Sequence, residues 1–114
     1  VVTLSPSSVV VIPFPFSDLS AAKLRPAVVL ADTDQGDWLL CQITSNAYID
    51  STAVRLTSAE LSKGSLNAIS FARPLKLFTA NSGLIVKRIA ILNDDTFKAI
   101  LTATITALQQ NMPR

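Results

Sequence analysis

No histidine occurs in this chain of 114 residues, and there is one cysteine, Cys41. The usual general base, the usual metal ligand and any Ser-His or Cys-His nucleophile pairing are therefore absent. A lone cysteine also excludes an internal disulfide and a Cys-rich zinc site, and its place between Leu40 and Gln42 reads as a small buried side chain. Chemistry falls to Arg, Lys, carboxylates, hydroxyls and backbone groups. A guanidinium is the best match to a phosphate-like anion, being planar, permanently charged and bidentate, and for the same reason it is a poor base. The cations stand singly or in pairs: Lys23 with Arg25, Arg55, Arg73 with Lys76, and Lys87 with Arg88. Only folding could gather them into one groove, and a net charge of +2 permits a nucleic-acid partner without arguing for one. The carboxylates offer no metal site by spacing. Asp32-Thr33-Asp34-Gln35-Gly36-Asp37 begins like a calcium loop, but its sixth place holds Asp37 where Gly is needed, and its twelfth Ile43 where Glu is needed.

Arg25 stands where a loop meets a strand, a common place for binding groups on a rigid scaffold. Val9 to Ile12 is β-branched throughout and reads as a strand. Pro13 and Pro15 stop its ladder, Ser17 to Lys23 is a surface loop, and Arg25-Pro26 leads into a second strand from Ala27 to Ala31. A hairpin turn with Gly36 at positive φ leads to a third strand, Asp37 to Ser45. Alternation there puts Leu39, Cys41 and Ile43 on a core face and Trp38, Leu40, Gln42 and Thr44 on a mixed face suited to an interface or groove. Read by residue type alone, Arg25 is a solvated loop cation and Thr44 an ordinary strand threonine.

Further strands are expected over Ser51 to Leu56, Leu66 to Leu77 with a bend or bulge at Pro74, and Val86 to Leu92. Thr57-Ser58-Ala59-Glu60 has the spacing of a capping box, opening a short helix that ends at Lys63 with Gly64 left-handed. Asn93 caps a terminal helix whose stripe is Phe97, Ile100, Leu101, Thr104, Ile105 and Leu108. Val1 to Ser8 reads as a loose arm before a single domain over residues 9–112. Short strands with one terminal helix imply a mainly β protein, a small curved antiparallel barrel with a C-terminal α-helix. Nearly half the residues are apolar and only 16% charged, which suggests self-association. The apolar runs are too short to span a bilayer, and no signal-like segment opens the chain, so a cytoplasmic protein away from membranes is the default.

The run Pro13-Phe14-Pro15-Phe16-Ser17-Asp18-Leu19-Ser20, continuing through Lys23-Leu24-Arg25-Pro26-Ala27-Val28-Val29-Leu30, resembles the opening of the MazF/PemK toxins of bacterial toxin–antitoxin pairs. Asp37-Trp38-Leu39-Leu40-Cys41-Gln42-Ile43-Thr44-Ser45, then Arg73-Pro74-Leu75-Lys76-Leu77-Phe78, and the terminal helix agree in order, so the likeness covers roughly residues 9–110. Where that family usually carries Gly-Asp before the first strand, this chain has Ser7-Ser8. The resemblance implies an SH3-like barrel that forms a homodimer, cuts single-stranded RNA at specific sequences without cofactor or metal, and is neutralised by a cognate antitoxin. It maps the catalytic Arg onto Arg25 and the catalytic hydroxyl onto Thr44. Around them Lys23, Ser45, Arg73 and Lys76 are candidate RNA contacts, though Arg73 and Lys76 are equally ordinary strand-surface cations. Phe16, with Phe14, could stack on bases or plug the barrel mouth, the structural role being preferred. A decayed binding module and, further off, a gyrase-poisoning toxin like CcdB are the alternatives.

Overall fold

The computed structural model describes residues 4–15, 22–46 and 50–114. Among the described residues seven strands precede one helix: β1 (Ser8–Pro15), β2 (Ala22–Asp34), β3 (Asp37–Thr44), β4 (Val54–Leu56), β5 (Leu61–Gly64), β6 (Ser70–Asn81), β7 (Lys87–Leu92) and α1 (Asp94–Gln110). They form one antiparallel sheet in the order β4-β6-β3-β2-β1-β7-β5. The two edge strands, β4 and β5, are joined by residues 57–60 alone, so the sheet curls round into a nearly closed barrel with the helix packed on β6 and β4.

Alternate residues of β1, β2 and β3 feed two separate apolar cores. One gathers Val9, Val28, Leu30, Cys41, Ile43, Leu56 and Leu92 around Ile100 of α1, with Phe97 and Leu101 packed against them. The other joins Val10, Ile12, Ala27, Val29, Leu40, Ala80 and Ile85 to the half-buried Leu4, Phe14, Trp38 and Phe78. The expected single core face of β3 is thus corrected. Leu40 is as fully buried as Cys41, whereas Leu39 is only half-buried. A strand covered on both sides carries a continuous apolar run rather than an alternating one, which is what Val9 to Ile12 and Ala27 to Leu30 show.

The hairpin between β2 and β3 needs three successive positive φ angles, at Asp34, Gln35 and Gly36. The capping box forms as expected: the Thr57 N–H donates to Glu60 Oε1 at 2.6 Å, and the Ala59 N–H to the Thr57 hydroxyl at 3.2 Å. It opens only a 3-10 turn, Ser58–Glu60, and not a helix to Lys63. Leu61 is drawn instead into β5 beside Leu92 of β7, because the segment has no apolar stripe to make a helix worth packing. Gly64 has the expected positive φ, +80°, though not as a helix end, and the place requires glycine on a second count: a Cβ there would stand 2.1 Å from the Ile89 carbonyl oxygen. Strand limits also move, since β4 is only three residues long and β6 runs from 70 to 81.

The terminal helix begins where expected. Asn93 Oδ1 accepts from the Thr96 N–H at 2.8 Å, while the Asn93 N–H donates to the Glu60 carbonyl at 2.8 Å, fastening the helix start to the 3-10 turn. Its stripe ends early. Thr96, Ile100 and Thr104 are buried, but Ile105 is 51% exposed and Leu108 64%. The Thr104 hydroxyl bonds the carbonyls of Pro74 and Ile100, each at 3.0 Å. A buried threonine in a helix is thereby explained: it satisfies a strand carbonyl where β6 breaks register.

The start of the chain is pinned rather than loose from Leu4 onward. Ser7 donates to the Val29 carbonyl at 2.9 Å and accepts from the Leu92 N–H at 3.0 Å. Ser7 sits at φ +76°, in the left-handed region, and Ser8 is fully buried with its Oγ 3.3 Å from the Ser5 N–H nitrogen.

Candidate functional site

β2 and β3 stay paired from Asp34 opposite Asp37 down to Ala27 opposite Gln42. Two residues beyond that last pair, the same count brings Arg25 and Thr44 to matching positions at the mouth where the strands part. Paired residues share a face, so Arg25, Ala27 and Val29 lie on the side of Leu40, Gln42 and Thr44, which is the side of the second core. β1 brings Ile12 beside Arg25 and Phe14 beside Lys23, and β6 brings Phe71 beside Thr44. The core on this face therefore continues, along the same strands, into Lys23, Arg25, Gln42 and Thr44.

Each of these has a distinct setting. Arg25 is half-buried with its Nε enclosed, whereas Lys23 is exposed. Partial enclosure strengthens the field of a guanidinium by excluding some of the screening water. The half-buried Thr44 hydroxyl accepts the Asn46 N–H at 3.1 Å. That bond uses an oxygen lone pair and leaves the O–H hydrogen to donate to an anion. Ser45 is exposed just past the end of β3.

β6 forms the far wall. It pairs Thr44 with Phe71 and Ile43 with Ala72, then slips and resumes with Cys41 opposite Leu77. Residues 73–76 thus stand against Gln42 alone, the bulge expected at Pro74, which has no N–H for the ladder. The bulge holds both remaining cation candidates. Lys76 is exposed. Arg73 is half-buried and its Nε donates to Asp50 Oδ2 at 3.2 Å. Bonds from the Thr52 hydroxyl, with Arg73 adding to them, hold the Asp50 carboxyl below its ordinary value of 3.8. The Arg73 charge is therefore already shared, and that of Lys76 is the more open to a ligand. Phe16 lies outside the described residues. Phe14 packs edge-to-face on Phe78, with ring centroids 4.7 Å apart, and so serves the core.

Two residues here were not among the candidate site residues read from the sequence. Asp50 gave no signal, being 23 positions from Arg73. Gln42 did give one: it has the same strand parity as Thr44, and its Oε1 is buried without a hydrogen-bond partner among the described residues. Cys41, on the other face, is chemically silent, as burial pushes its thiol up to about 12. Among the described residues no three His, Cys, Asp or Glu side chains lie close enough to hold a metal ion, and no helix is long and apolar enough to cross a membrane. A cleft of about 410 Å³ lies at the β5–β6 connection, lined by Thr57, Ser58 and residues 65–69, with no titratable group.

The arrangement offers a half-enclosed guanidinium, a hydroxyl donor and an open lysine along one barrel mouth, a set fitted to an anionic backbone. Comparison with known proteins agrees with the fold. A chain of the MazE-MazF crystal structure from Deinococcus radiodurans superposes with a TM-score of 0.74 at 16% identity, over 95% of this chain and 97% of that one. An endoribonuclease in complex with its cognate antitoxin, from a mycobacterial species, gives 0.72 at 14% identity, over 97% and 100%. The Mycobacterium tuberculosis toxin MazF-mt6 gives 0.70 at 16% identity, over 90% and 96%. No curated protein matches the chain. The family model for the PemK-like, MazF-like toxins of type II toxin–antitoxin systems matches residues 6–108, nearly the whole sequence, and the chain belongs to that family.

Proposed function

We propose that this toxin is an endoribonuclease that cuts single-stranded RNA at specific sequences by metal-independent transesterification, with Arg25 and Thr44 as its catalytic pair. The observation that carries the reading is the register that brings those two residues to matching positions on one half-enclosed face. In this reaction the RNA's own 2′-oxygen forms a bond to the adjacent phosphorus and loses its proton. The bond from phosphorus to the 5′-oxygen breaks, and that oxygen takes up a proton. The products are a 2′,3′-cyclic phosphate and a 5′-OH. Arg25 stabilises the charge growing on the phosphoryl oxygens, Thr44 donates a hydrogen bond to one of them, and both hold the phosphate for in-line attack. Lys23 and Lys76 draw in flanking phosphates, with Ser45 and Arg73 at the margins. With no histidine in the chain, attack by the substrate's own hydroxyl is the route these residues best support.

The active form is a homodimer. Leu75 and Leu77 of β6 are exposed, as are Ile105, Leu108 and Met112 at the end of the chain, and Leu75 and Ile105 directly follow the bonded pair Pro74 and Thr104. Such an apolar surface on a small domain is best covered by a second copy. A cognate antitoxin silences the enzyme by occupying the RNA-binding mouth.

Purified protein should cut mixed unstructured RNA in excess EDTA, leave 5′-OH ends and spare DNA. An oligonucleotide with a single 2′-deoxy sugar just 5′ of the cut should bind and stay intact. Cleavage that EDTA abolishes and magnesium restores, or cleavage of the deoxy substrate, overturns the mechanism.

A further inference from the structure

We infer that Gln42 is a specificity-determining residue, its side-chain amide reading the edge of a nucleobase next to the cleaved phosphate; this rests on the nuclease reading above. Gln42 lies two residues before Thr44 on the same strand, and beside Ala27, which lies two residues after Arg25, so it stands one step inside the catalytic pair on their shared face. Across β3 it faces the gap opened by the 73–76 bulge, where β6 supplies no regular ladder partner. Its Oε1 is buried and has no hydrogen-bond partner among the described residues, although the residue as a whole is only half-buried.

A buried amide oxygen without a donor is costly, and native proteins keep few of them. Purely structural packing at this position would favour an apolar side chain of the same size. The oxygen repels phosphate, so the ligand that satisfies it must offer a hydrogen. In single-stranded RNA the donors are base N–H groups and the 2′-OH. The 2′-OH is the same in every nucleotide, whereas a base edge can use both ends of the amide, one accepting and one donating. Turning the amide outward onto a base relieves the unsatisfied oxygen, so the correct base gains from a cost that the free protein carries. A wrong base leaves the cost in place, which is the kind of site that discriminates most sharply.

The experiment compares the wild type with Gln42→Met and Gln42→Asn, sequencing the cut ends from a mixed unstructured RNA and measuring thermal unfolding of each free protein. Gln42→Met should lower the preference for the favoured base at one fixed position by about tenfold or more. Preferences at the other positions should stay unchanged, and the melting temperature should rise by about 2–8 °C because the orphaned oxygen is gone. Gln42→Asn, with the same groups on a shorter stem, should shift the profile at that same position. An unaltered profile with a uniformly slower rate would instead show a contact to the 2′-OH or mere packing, and overturns the inference. So does a Gln42→Met protein that melts below the wild type, since the amide would then be satisfied in the free state. RNA left whole by the wild type overturns the nuclease reading and this inference together, which separates that failure from the other two.

Discussion

β2 and β3 each have two sides, and the molecule uses them in opposite ways. On the helix side the middle of each strand is given to packing: Val28, Leu30, Cys41 and Ile43 are all buried around Ile100. On the other side the same strands start apolar, with Val29 and Leu40, and turn polar within one residue pair, at Ala27 and Gln42. Beyond that pair come Arg25 and Thr44. The contrast teaches where this fold can afford chemistry. A closed core tolerates no unsatisfied group, and its one thiol is held protonated by burial. A core that opens at a barrel mouth supplies low-dielectric walls beside groups that still reach solvent, which is where a fixed charge acts most strongly.

The sharpest way to break this contrast is to truncate one residue on each side. Ile100→Ala on the helix side should destabilise the protein by about 2–5 kcal/mol, the usual loss for emptying a filled core position. Residual RNA cleavage per folded molecule should be normal. Arg25→Ala should do the reverse, costing about 2.7–4 kcal/mol of transition-state stabilisation with little change in denaturant midpoint. Lys at position 25 should rescue only in part, because it lacks the planar fork. Near-native cleavage by a folded Arg25→Ala protein would remove the chemistry from this mouth altogether.

A smaller effect is expected at the entrance to β1, and it bears on how far the sequence could be read. Ser7 holds φ +76°, a conformation that a side chain makes unfavourable and glycine does not. Gly-Asp, usual in the family, would place a glycine there without strain. Ser8 fills the second place by bonding Ser5 with a short buried hydroxyl. The departure from the family pattern is therefore accommodated by the fold. Ser7→Gly should raise stability by about 0.5–1 kcal/mol and leave cleavage unchanged, since Ser7 contacts β2 and β7 and not the mouth. A loss of stability in that variant would show that the left-handed turn is not strained.

Local signals in the sequence carried well. The Asn93 cap, the Thr57–Glu60 box and the Gly36 turn all formed, because each depends on residues a few positions apart. What was lost depends on register. A regular hairpin counted from Asp34 opposite Asp37 would set Asn46 against Arg25. Two register shifts, between Val29 and Ala31 and between Asp32 and Asp34, move the pairing by two and bring Thr44 there instead. Bulges leave no clear mark in a run such as Leu30-Ala31-Asp32, so the family likeness, not the spacing, singled out Thr44. The same limit hid the second core. Alternation distinguishes two faces of a strand but does not say that both are covered, and the half-buried Leu39 and fully buried Leu40 reversed the simple assignment.

The mildest prediction asks whether Arg73 belongs to the polar mouth or to the framework behind it. Its Nε is engaged by Asp50, with side chains only 20% and 16% exposed. Both Asp50 and Glu60 have carboxyls held below their ordinary values of 3.8 and 4.5, by bonds from Thr52 and then Arg73 in one case and from Thr57 in the other. A carboxylate favoured in the folded state stabilises it above the unfolded value and ceases to do so once acid protonates the folded form. Urea midpoints should therefore be flat above about pH 5 and fall as the pH drops through 4 and below. Arg73→Gln should cost about 0.2–1 kcal/mol at pH 7, in the range of a partly exposed pair, and less once acid has protonated Asp50 in the folded protein. The acid-induced fall should shrink without vanishing, because the Thr52 bond to Asp50 remains. If Arg73→Gln leaves stability and its pH profile untouched but weakens RNA binding and the salt dependence of that binding, then Arg73 serves the substrate, and the polar mouth extends across the bulge of β6.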